Sequence, residues 1–381
     1  MRRKFPKPRE SAAVSKQAFS REPGIVMASE SPDLQAIAAN AQAAHCGKGA
    51  PAVVNRDAVG HSRWQTKMAI LANLTEAELA EFDVARLNML CAAGLPGSEG
   101  IDPDACIRTL DGWTEYIRRN VERWWPDFLG SPREGEDSPG KFRMMAIATL
   151  LQRQLGVHYN LRFNEGEYDG RDSRNLLLHG PLAGHGGTCV TLPVLYIAIA
   201  RRLGYPVFLT RTKDHYLARW DEPGVERFNI ECTCRGFASH SDEHYCTWKT
   251  PITDSEVRRG AFLRNLTRRE EFACFLSERG NCLLDHLQIG EALEAYHHAH
   301  RIAPRDECIR ANWIVASMMG RALEGAKRAA DRRGTHRIVV DEIPYPEPRD
   351  ADEAKAIPHA RETFARILRL HGKRHPVTPS R

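Results

Sequence analysis

No stretch of the 381-residue chain approaches the roughly 18 consecutive apolar residues that a membrane-spanning helix needs. Residues 1–26 also lack the apolar segment of a secretory signal, and read as an Arg-rich tail ahead of a second possible start at Met27. Acidic residues are scarce at both ends. The first 22 residues hold seven Lys/Arg against two Glu, and the last 17 hold five Lys/Arg and no acid. Because the formal net charge is only +5, the stretch between is left about five charges negative, a poor footprint for nucleic acid. The ten cysteines lack the regular spacing of a disulfide framework, which suits reduced thiols in a cytoplasmic protein.

What is present divides the chain into five stretches. Residues 1–60 are rich in Pro, Ser, Ala and Lys/Arg and are expected to form a disordered basic tail. An N-terminal helical region follows over 61–128. Thr75 with Glu78 predicts a capping box, Asp83 a second cap, and Asp102-Pro103 the start of an amphipathic helix. In that helix Ile107, Leu110, Trp113, Ile117, Val121 and Trp124 recur at three- and four-residue spacing until Pro126, where the pattern predicts a stop. A linker at 129–141 leads to a core over 141–255, then a helical segment over 256–330. Residues 331–381 read as a linker with a last amphipathic helix at 359–371.

The core is organised around HGPLAGHGGTCVTLPVLYIAIARRLGYPVFLTRTKDHYLARW, residues 179–220, closed by ERFNIECT at 226–233. A glycine-rich approach reaches Cys189 and runs into an apolar segment that Gly204 stops. Pro193 is tolerated only in a helix's first turn, which predicts a helix starting near Thr188 or Cys189. A thiol there meets unpaired N–H groups and the positive end of the helix dipole, which favour the thiolate. Residues 205–212, 215–220 and 225–233 then predict three consecutive antiparallel strands. His215 opens the second, and Asn229 and Glu231 share one face of the third. A nucleophile, a base and an orienting group thus follow in the order Cys, His, acid.

These residues resemble the transglutaminase-like superfamily, and GTCVTLPVLYIAIARRLGYP is similar to its bacterial SirB-type branch. The resemblance spans roughly residues 85–310. It implies an α+β fold, with a papain-like core in which the Cys-bearing helix packs on an antiparallel sheet, flanked by N-terminal helices. It implies Cys189 as nucleophile, His215 as general base, and Glu231 where the superfamily usually has Asp, with Asn229 as the papain-style alternative. Such a site would act on amide bonds of a protein or peptide, by hydrolysis or acyl transfer, and would need no cofactor or metal.

Beyond the core, a 34-residue tetratricopeptide frame from Ala273 places Leu276, Gly280, Leu283, Ala292, Tyr296, Ala299 and Pro304 at the large, small and helix-ending positions of such a repeat. A single repeat cannot bury its own face and must lean on the catalytic unit. A non-catalytic scaffold that binds a protein partner through this segment is therefore the alternative to an enzyme. Cys232, Cys234, His240, His244 and Cys246 form a dense ligand set for zinc, though in none of the familiar spacings.

Overall fold

The computed structural model describes residues 68, 70–130, 138–163, 169–334 and 347–372. The expected basic tail, the start of the helical region that begins at 61, most of the linker at 129–141 and part of the linker after Gly334 lie outside them. In chain order the elements are α1 (Glu76–Ala80), α2 (Val84–Leu90), α3 (Pro103–Gly130), α4 (Pro139–Arg153), α5 (His179–Leu182) and α6 (Thr191–Arg202). Strands β1 (Val207–Arg211), β2 (Tyr216–Glu222) and β3 (Glu226–Ile230) follow. The rest is helical: α7 (Asp242–Thr247), α8 (Asp254–Arg258), α9 (Arg268–Asp285), α10 (Ile289–Ile302), α11 (Glu307–Arg332) and α12 (Ala351–Gly372).

Local chemistry sets most of these boundaries. Thr75 and Glu78 form the expected capping box of α1, Asp83 caps α2, and Thr267 with Glu270 forms another such box at the start of α9. α3 buries Ile107, Leu110, Trp113, Ile117 and Val121, as the spacing predicts, but it does not stop at Pro126. It runs on to Gly130, because Trp125 and Phe128 pack with Phe142 of α4, and that aromatic contact outlasts the hydrogen bond proline removes. Similarly, α12 begins at Ala351, one turn and more before the expected 359, and carries Pro358 within it.

The sheet is antiparallel in the order β1-β2-β3, with Leu209 opposite Ala218 and Ala218 opposite Ile230. The backbone of 263–266 lies along the outer edge of β1, where the Leu263 and Leu266 amides donate to the carbonyls of Arg211 and Leu209. Against the sheet lies α6, in which every residue from Thr191 to Ala200 is buried. A helix apolar on all sides is a central one, and α2, α3, α4 and α5 surround its other faces. The architecture is therefore α+β: a Cys-flanked helix on a three-stranded antiparallel sheet, with helices on both flanks.

The helical unit after the sheet is joined to this core through buried polar groups. Arg201 at the end of α6 makes a two-pronged ion pair with Glu271 of α9, at 2.5 and 2.8 Å. Arg279 donates to the carbonyls of Cys91 and Ala93, and Arg211 of β1 pairs with Asp306 ahead of α11. Helices α9 and α10, linked by three residues, pack as a hairpin. At their crossing a Cβ on Gly280 would fall 2.6 Å from the Tyr296 ring, so only glycine admits that tyrosine.

Candidate active site

Cys189 lies in the turn that feeds α6. The regular helix begins at Thr191, two residues later than expected for the cysteine to sit in its first turn. Its hydrogen bonding starts earlier, since the Leu192 amide donates to the Thr188 carbonyl. Thr188 Oγ1 accepts from the amides of Val190 and Thr191, and the Thr188 amide donates to Thr191 Oγ1 at 2.8 Å. This reciprocal pair works as a capping box and fixes Cys189 immediately inside the cap. Upstream, Gly187 exchanges hydrogen bonds of 2.8 Å with His158 and Asn160, which pins the approach to the cysteine. Gly186 stands there at φ +86°, a conformation that favours glycine.

His215 precedes β2 and is only 4% exposed. Its Nε2 lies 3.0 and 3.2 Å from the two carboxylate oxygens of Glu231, which follows β3. His215 Nδ1 is buried and makes no hydrogen bond. Glu231 is held from several directions, by the Thr233 amide at 3.0 Å, the Thr233 hydroxyl at 2.5 Å and the Tyr245 hydroxyl at 3.1 Å. Burial opposes its charge. Hydrogen bonds from His215 and Thr233, and the nearby His215 charge, outweigh burial and hold the carboxyl down at about 2. Trp248 meets the His215 ring edge-on at 4.6 Å between centroids.

Asn229, the alternative orienting group, is engaged elsewhere. It accepts from Arg219 Nε at 2.7 Å and donates to the His240 carbonyl and to Asp242. The structure thus brings Glu231, and not Asn229, to the histidine.

Cys189 and His215 line one cavity of about 610 Å³. The thiol does not behave as its place at a helix start suggests. Burial pushes it up to about 11, Lys249 pulls it back, and the carboxylates of Glu278 and Glu231 add to the rise. Lys249 lines the same cavity at φ 51°, an uncommon backbone for lysine, with its ammonium 4.3 Å from the centroid of the Trp248 ring. The far walls come from the helical unit: Ser277, Glu278 and Asn281 of α9, Tyr296 of α10, Asn312 of α11 and Arg366 of α12. Sequence reasoning missed these residues. Of them the sequence marks only Tyr296, and that as a repeat position rather than as part of a site.

Among the described residues no three His, Cys, Asp or Glu side chains converge as metal ligands. The dense set at 232–246 is dispersed by its own elements. The Cys232 and Cys234 thiols face nearby carbonyls, and His240 and His244 stack ring on ring at 4.4 Å.

Compared with known families, residues 109–271 match the one described as "Transglutaminase-like superfamily". No curated protein and no solved structure matches the chain. The match begins within α3, spans the capped turn at Cys189 and the sheet that carries His215, Asn229 and Glu231, and ends in α9. The chain thus carries a transglutaminase-like superfamily domain over residues 109–271.

Proposed function

We propose that the protein is a cysteine enzyme acting on amide bonds, with Cys189 as nucleophile, His215 as general base and Glu231 as the group that orients it. One observation carries this: Glu231 occupies Nε2 of His215 and leaves Nδ1 buried and unbonded, on a histidine that lines the same cavity as Cys189. That bond selects the tautomer with the proton on Nε2, so the lone pair available to a thiol proton is on Nδ1. A thiol near 11 rests protonated. The proton therefore passes to Nδ1 as sulfur attacks the carbonyl, and no standing thiolate–imidazolium pair is required.

The tetrahedral intermediate places its negative oxygen near the Cys189 amide, which donates to no other residue among those described. His215 returns the proton to the leaving amine, and a thioester remains on Cys189. Water or an amine then attacks the thioester, giving up a proton through His215, and the thiol is released. Hydrolysis and acyl transfer differ only in that acceptor. The peptide or protein nature of the substrate and the SirB-type branch are parts of the same proposal. So are a tetratricopeptide-like identity for the α9–α10 hairpin and a cytoplasmic location, which suits nine described cysteines all free of disulfides.

The test is the rate of Cys189 alkylation against pH, read by peptide mass spectrometry, in the wild type and in His215→Ala. The expected result is labelling near pH 7 that falls by at least ~10-fold in the variant, the scale of general-base assistance. Equal rates in the two proteins would show an idle cysteine and overturn the assignment.

A further inference from the structure

Glu278 lies on α9, seven residues past the end of the matched domain, yet it lines the cavity that holds Cys189 and His215. It is 7% exposed, and its carboxylate accepts 2.9 Å from Asn281 Nδ2 and a further hydrogen bond from Tyr216. Both partners are neutral. No Lys, Arg or His stands at ion-pair distance among the described residues. The other charges on the cavity wall are accounted for differently. Arg211 is paired with Asp306, Arg366 with Asp285 and Lys213 with Glu256, so three of the four lining cations already have carboxylates. The fourth, Lys249, lies over Trp248. On the opposite side of the balance, Asp214 and Glu362 line the cavity from exposed positions.

A carboxylate removed from water without a contacting counter-ion is costly, and burial raises Glu278 to about 7 against the Asn281 hydrogen bond and the more distant Arg211 charge, so it is ionised in mildly alkaline solution with room for a cation at contact distance. We propose that Glu278 and the surrounding α9–α12 wall form a subsite for a cationic group of the substrate, an ammonium or guanidinium on a side chain flanking the reacting amide. The proposal rests on Cys189 being the nucleophile of that cavity. It gives the helical unit a role in selecting substrate rather than in docking a separate protein.

The experiment is a ligand-observed NMR titration at pH 8 of the full-length Cys189→Ala protein, in which no turnover occurs. The probes are N-acetyl-lysine amide and N-acetyl-norleucine amide, which differ in the ammonium. The lysine compound is expected to bind roughly tenfold tighter, the scale of a charge-assisted hydrogen bond net of desolvation. Adding Glu278→Gln should reduce that ratio to about one without weakening the norleucine compound. Glu278→Asp should keep a measurable lysine preference, which separates loss of charge from loss of packing. An undiminished preference in Glu278→Gln, no preference in either protein, or no saturable binding of either probe would overturn the proposal. The alkylation profile of Cys189 is read independently, so an inert cysteine with intact lysine preference would sink the nucleophile assignment alone.

Discussion

At Glu231, burial and hydrogen bonding act on the carboxylate in opposite directions. A carboxylate buried to 8% exposure survives ionised because three neighbours donate to it at once: the His215 ring, the amide and hydroxyl of Thr233, and the Tyr245 hydroxyl. Its folded value of about 2 lies below the ordinary 4.5, so its stabilising contribution is complete above pH 4.5 and lost as pH falls from there towards 2. The shift corresponds to on the order of 3 kcal/mol. In urea unfolding, the stability gap between the wild type and Glu231→Gln should be widest near pH 6–7 and shrink steadily below pH 4.5. A gap independent of pH would contradict the assignment of the charge. The same substitution replaces the charged, acceptor-only partner of Nε2–H by a neutral amide that donates as well as accepts and so no longer fixes the tautomer, and turnover of an amide substrate should fall by roughly 10²–10⁴ with little change in KM, as expected when only the base loses its orientation.

At the level of elements, the α9–α10 hairpin shows how one small residue sets a packing distance. Gly280 leaves room for Tyr296, whose hydroxyl reaches Asn281 at 2.7 Å, and Asn281 in turn holds Glu278. Gly280→Ala should therefore destabilise the fold by about 1–3 kcal/mol through overpacking, although alanine is the better helix former. Tyr296→Leu in the same chain should recover part of that loss. Chemical denaturation of the two single variants and the double would measure the coupling, and strict additivity would mean that the two side chains do not compete for space.

For the whole molecule, the cavity is a joint product of the matched domain and the helices after it. Arg366 of α12 pairs with Asp285 of α9 at 2.7 and 2.8 Å, and the Gly170 amide also donates to Asp285, so three distant stretches of chain meet behind the cavity wall. Ending the chain after Gly334 removes α12 and leaves the buried Asp285 carboxylate without its guanidinium. The expected result is a lower thermal midpoint, by several degrees for the loss of a buried pair, together with faster labelling of Cys189 by a bulky maleimide. An unchanged labelling rate would show that α12 does not close the cavity.

The sequence alone determined the elements whose causes are local. Spaced apolar residues, Thr–Glu caps and β-branched runs specified α1, α2, the start of α3, β1 to β3 and the α9–α10 pair. Cys189, His215 and Glu231 were legible for the same reason, since a glycine-led turn and two strand ends fix where each backbone goes. What needed the tertiary structure was every property set by neighbours distant in sequence. Contact with Phe142 carried α3 past Pro126, and the bonds to Arg219, His240 and Asp242 took Asn229 away from the histidine. Burial overrode the helix start and raised the Cys189 thiol instead of lowering it. The place of Glu278 on the cavity of Cys189 and His215 was decided the same way: charge, burial and the company of α11 and α12 exist only once the chain has folded, because desolvation depends on what surrounds a group and not on its position along the chain.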